Sequence, residues 1–139
     1  MKATNSLSIP AIQSSGHTTF TLACAAEQLK LVRRLTKAYA TQLEPIRTKL
    51  HNYVPADPRV SQLNSEYIEI VSSWNRKMRR LGIAVHGLWQ VGFDCEEGWY
   101  SWQYPERKIR YFIEYGDTFA ERSLISPRKE FKPEQLFKK

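Results

Sequence analysis

Few residues in this chain of 139 offer a recognisable chemistry. Two cysteines, Cys24 and Cys95, are too few for a disulfide framework or a four-thiolate zinc site, which points to a reducing compartment. Three histidines, His17, His51 and His86, are spread over a tail, a helix end and a strand, so neither a metal nor a cofactor is expected. No run approaches the roughly 18 apolar residues of a membrane span, and the first twenty residues are polar with no apolar signal core. The expectation is a cytoplasmic protein that makes no membrane contact. Glycine-rich phosphate loops, a G-x-S-x-G elbow, H-E-x-x-H and C-x-x-C are missing too, and no catalytic residue is assigned.

What the chain does have is material for one core: 42% of it is hydrophobic, and the aromatics include four tryptophans and seven tyrosines. Residues 1–19 mix Ser, Thr, Asn, Pro and Gly without period and read as a disordered tail, and residues 126–139 read as a charged one. Between them, residues 20–125 form one α+β domain. From Thr21, Leu22, Ala25, Leu29, Val32, Thr36, Tyr39, Leu43, Ile46, Leu50 and Tyr53 alternate at spacings of three and four, a helical stripe that keeps its register past Pro45. Asp57 and Pro58 are placed to start a second helix, whose stripe of Val60, Leu63, Tyr67, Ile70, Trp74, Met78 and Leu81 stops at Gly82. The two make a long antiparallel hairpin over 21–82. After Gly82 the period shortens to two, which predicts a three-stranded antiparallel β-meander over 83–115, with strands at 83–93, 99–104 and 108–115. In the last of these, Ile109, Tyr111, Ile113 and Tyr115 are expected on one face. Cys24 is read as a core residue and Cys95 as an exposed turn thiol.

Charge divides along the same boundary. Residues 21–53 hold six bases and two acids, and residues 56–82 five and three, whereas residues 83–117 hold three bases and six acids. The helices are basic and the sheet is acidic. Arg33, Arg34, Arg79 and Arg80 lie off the apolar stripes and are candidate nucleic-acid contacts. Leu29, Val32, Tyr39, Leu43 and Ile46, with Ile70 and Trp74, are the candidate seam of a homodimer. The sheet region is dense in aromatics, more than one helix layer can cover, and a second surface is expected there.

Several segments resemble an uncharacterised bacterial family, domain-of-unknown-function family 2203. FTLACAAEQL (20–29) is similar to its helix-opening motif, LGIAV (81–85) to its helix-to-strand junction, YSWQYPERKIRYF (100–112) to its tryptophan-containing hairpin, and TFAER (118–122) to its closing motif. The chain departs from the pattern at Ile113, where the resemblance implies a histidine, and at Gly116, where it implies an acid. The family brings no assigned activity. Trp102, Glu106, Tyr111, Phe119 and Arg122, carried by these motifs, form the candidate ligand or interface cluster. Arg122 is expected either to bond a carboxylate such as Glu106 or Glu114, or to await an anion. The leading functional expectation is a non-enzymatic interaction or scaffold module with an unknown protein partner. Nucleic-acid binding through the helices, and a small-ligand or enzyme site at the sheet, are the alternatives.

Overall fold

Thr21 starts the first helix because its hydroxyl accepts the backbone N–H of Cys24 at 3.1 Å, a donor with no partner in the turn before it. In the computed structural model, which describes residues 18–125, this helix, α1, spans Leu22–Asn52 and continues through Pro45. The expectations for the two tails, His17 included, lie outside the described residues except at Thr18 and Thr19. Immediately after these, the N–H of Phe20 donates to the carbonyl of Asp94 at 2.7 Å, and its ring stands edge-on to Phe93.

The second helix, α2, spans Arg59–Arg80. Pro58, expected at the first helical position, stands just before it, and Asp57 one residue further back: one carboxylate oxygen accepts the Arg59 N–H at 2.9 Å, and both oxygens take the Arg59 guanidinium at 2.9 and 2.7 Å. The side-chain bond to Arg59 pulls the Asp57 pKa down to about 2. Arg59 also lies 4.1 Å over the ring of Tyr53, which follows α1, so one residue clasps both sides of the turn.

The helices run antiparallel, and their register is set by two polar contacts. The indole N–H of Trp74 donates to the Thr36 hydroxyl at 2.9 Å, and the hydroxyls of Tyr39 and Ser73 are 2.9 Å apart. Trp74 and Thr36 are both fully buried. The expected dimer seam is therefore corrected in part: Leu29, Val32, Leu43 and Trp74 are buried within one chain, whereas Tyr39 and Ile70 are half-buried and, with Ile46 at 9% exposure, border a groove between the helices. Most of the stripe is spent on α2 and the sheet, because one tryptophan at the right level draws all three together.

Gly82 ends α2 at φ +77°, and a Cβ there would lie 2.3 Å from the Thr18 hydroxyl, so both conformation and space require glycine. The sheet that follows is antiparallel with five strands in chain order: β1 (Ala84–Gly87), β2 (Gln90–Asp94), β3 (Gly98–Gln103), β4 (Tyr111–Glu114) and β5 (Ser123–Leu124). The α+β class stands, and the three-stranded meander is corrected to five strands. The expected strand over 83–93 turns back at Leu88 and Trp89, a dipeptide without turn chemistry. Trp89 takes φ +60°, unfavourable for a bulky residue, and is held there by its ring, buried edge-on to Trp74 at 4.9 Å. Short β5 pairs with β4, and the N–H of Ile125 donates to the Arg110 carbonyl beyond it at 2.8 Å.

Val91, Phe93, Tyr100 and Trp102 belong to the core shared with the helices. Register puts Gly92, Ser101 and Tyr111 in one row, and Asp94, Trp99 and Ile113 in another, on the opposite face. The single face expected for Ile109, Tyr111, Ile113 and Tyr115 thus splits: Ile109 precedes β4 and joins the helix-side core. Cys24, expected in the core, is exposed, because α1 turns its Ala25 side inward instead. Cys95, expected exposed, is half-buried with its thiol 3.4 Å from the Gly98 carbonyl, and burial pushes its pKa up.

Replacing Thr36 by Val should leave the Trp74 N–H buried without an acceptor and lower unfolding free energy by about 1–3 kcal/mol, while Thr36→Ser should recover most of it. Urea denaturation followed by tryptophan fluorescence measures both.

Candidate functional site

Glu106 lies in the turn between β3 and β4, and every part of it is engaged. Its carbonyl accepts the indole N–H of fully buried Trp102 at 2.7 Å, and one carboxylate oxygen accepts the Gln103 N–H at 2.9 Å. Arg122 completes the set with two parallel bonds, 3.2 Å to that oxygen and 2.7 Å to the other. The Arg122 guanidinium also lies over two rings, 4.1 Å from the centre of Tyr111 and 4.3 Å from that of Phe119.

Local sequence explains how Arg122 arrives there. Gly116 turns the chain at φ +88° after β4, and Thr118 then donates its N–H and its hydroxyl to the Glu121 carboxylate at 2.7 and 3.0 Å. Those bonds hold the Glu121 pKa down and wind Phe119–Glu121 into a single 3-10 turn. Phe119 and Arg122 leave that turn beside Tyr111 of β4. All five residues of the candidate cluster, Trp102, Glu106, Tyr111, Phe119 and Arg122, are therefore joined in one network. Of the two roles expected for Arg122, the geometry matches the carboxylate bond: the partner is Glu106, and the guanidinium lies over two rings.

The rest of the outer sheet face is linked by ring contacts that leave Tyr115 48% exposed. Between Val85 and Gly87 the pairing of β1 with β2 slips by one residue, and His86 sits in the bulge. Its ring lies over Gly92, where a Cβ would come within 2.3 Å of it, and stands edge-on to Trp99 at 5.0 Å. Trp99 is in turn edge-on to Tyr115 at 5.5 Å, and Tyr115 donates its phenol proton to Asp94. That hydrogen bond pushes the Tyr115 pKa up to about 12, and burial lowers that of His86. The Tyr115–Asp94 bond and the His86 bulge went unanticipated. Both join residues far apart in the chain, and no local pattern signals them. Among the described residues, no three His, Cys, Asp or Glu side chains are grouped to hold a metal ion.

The model of an uncharacterized conserved protein family, DUF2203, matches residues 18–125. The chain belongs to that family. Searches of curated proteins and of solved structures returned no match. Two segments within the matched range contribute to the Arg122 network, residues 100–112 with Trp102 and Glu106 and residues 118–122 with Phe119 and Arg122. Ile113, where the resemblance implied a histidine, is 2% exposed and paired in register with Trp99, so an apolar side chain fills that position.

The helical candidates lie elsewhere. Arg33, Arg34, Arg79 and Arg80 are exposed, and the register through Thr36 and Trp74 brings residues 30–37 level with residues 76–80. Those two segments contain eight bases and no acid. Of the eight, Lys30 is ion-paired, to Glu27 at 3.2 Å, and the other seven have no ion pair among the described residues. Among the described residues no helix is long and apolar enough to cross a membrane.

Arg122→Ala should strand the half-buried Glu106 carboxylate and destabilise the fold by about 2 kcal/mol, below the figure for a fully buried pair because both side chains retain some exposure. Added phosphate should not change the loss in thermal melts. Arg122→Lys should recover little, since an ammonium cannot make the two-point bond. For His86 the sign follows from its lowered pKa. Between that value and the ordinary one near 6.5 the unfolded chain binds a proton that the folded chain refuses, so stability falls as pH drops through that window. Melting temperatures from pH 7.5 to 5.5 should fall more steeply for the natural chain than for His86→Gln.

Proposed function

We propose that this protein is a non-enzymatic interaction module that associates with itself through its helical hairpin. The observation that carries the reading is a groove of about 450 Å³ between α1 and α2, floored by Tyr39, Ile46 and Ile70 and lined by no strand residue. Apolar residues at the floor of an uncovered interhelical groove favour a further helix. The sheet supports the same reading from the other side: its best-organised polar residues are bonded to one another, and Arg122 is held as architecture. Light scattering at tens of micromolar should give about twice the chain mass of 16.3 kDa, and a monomer there would sink the proposal.

The acid-free bases over 30–37 and 76–80 favour a second reading, weak binding of nucleic acid without regard to sequence. Contacts of this kind release counterions, so affinity should fall steeply with salt. Retardation of a short duplex at low salt should disappear on reversing Arg33 and Arg34, and no retardation of duplex or single strand at low salt would dismiss the reading.

A further inference from the structure

Glu66, Glu69, Ser73, Arg76 and Arg80 follow one another at spacings of three, four, three and four, and so occupy one row along α2. The row is acidic in its N-terminal half and basic in its C-terminal half, with Ser73 at the centre. Its opposite charges are seven or more residues apart, too far to meet along the helix. None of its four charged residues has an ion pair among the described residues. Glu66, Glu69, Ser73 and Arg76 form one wall of the interhelical groove, beside the floor of Tyr39, Ile46 and Ile70. On α1, Leu35, Tyr39, Gln42 and Ile46 form the matching row at spacings of four, three and four, with Leu35 half-buried.

We infer that this groove is occupied by a second copy of the chain, with the two α2 helices antiparallel across a two-fold axis near Ser73. The inference rests on the self-association reading and names its surface. A row whose charge changes sign at its midpoint complements itself only when reversed. Reversal sets Glu66 against Arg80 of the second copy and Glu69 against Arg76 of the second copy, and symmetry repeats both pairs. A parallel arrangement would set acid on acid and base on base. The apolar floors then cover each other between the charged rows, where a two-helix hairpin by itself leaves them open.

Charge reversal tests the seam without touching the core, since Glu69 and Arg76 are exposed. Glu69→Arg alone and Arg76→Glu alone should each weaken the dimer by roughly tenfold, because each change turns two symmetry-related attractions into repulsions. Mixing the two variants should restore a heterodimer, in which both pairs are again attractive, as native mass spectrometry or sedimentation would show. In a Cys24→Ser background, Ser73→Cys should cross-link copies on mild oxidation, and a cysteine at exposed Thr48 should not. A wild-type chain that stays monomeric at tens of micromolar overturns both this seam and the self-association reading. A dimer indifferent to the reversals, with no Ser73→Cys cross-link, overturns the seam alone.

Discussion

Trp74 carries the constraint from which the rest of the fold follows. A buried indole needs an acceptor for its N–H, and Thr36, in the middle of α1, supplies one at 2.9 Å. That bond sets which residue of α1 faces which residue of α2. The other side of the indole takes the edge of Trp89, which forces a bulky residue into a left-handed turn and folds what reads as one strand into β1 and β2. Hairpin register and sheet topology thus depend on the same side chain. The sheet is fixed to this end of the hairpin again by Phe20 against Phe93 and by the tight turn at Gly82. Toward the other end, Ile46 and Leu63 are buried but stand apart from the main core, so the helices there are held by each other.

This arrangement distributes the polar chemistry unevenly. On the outer sheet face and its closing turn, cations, carboxylates and rings answer one another: Arg122 with Glu106, Tyr111 and Phe119, and Tyr115 with Asp94 and Trp99. A charge satisfied in this way stabilises the segment that bears it and has little left for a ligand. The helices reverse the pattern, with bases and acids on exposed rows and an uncovered groove between them. The proposed activity is accordingly assigned to the hairpin, with the sheet as its support.

Much of this was legible in the chain. Spacings of three and four marked both helices, Thr21 and Gly82 sit at their limits, and the acid–base division between hairpin and sheet is visible in composition. The cluster of Trp102, Glu106, Tyr111, Phe119 and Arg122 was legible as well, since it lies within two short segments of DUF2203 pattern. The seam was legible only in part, because a buried heptad row looks the same whether its partner is the same chain or another. Cys24 is exposed and Cys95 half-buried for a similar reason: a one-residue difference in helix phase, or one turn carbonyl, decides the exposure of a small side chain.

Local physics therefore determined where helices begin and end and which residues would be apolar in the core. Periodicity and capping act over a few residues, and a sequence displays them directly. Tertiary structure alone decided that Trp89 would turn, that β5 would add to the sheet, that His86 would lie over Gly92, and that the groove of Tyr39, Ile46 and Ile70 would stay uncovered. Each of these depends on contacts between residues distant in the chain. Their energy is set by shape and burial at the point of meeting, which no local pattern records.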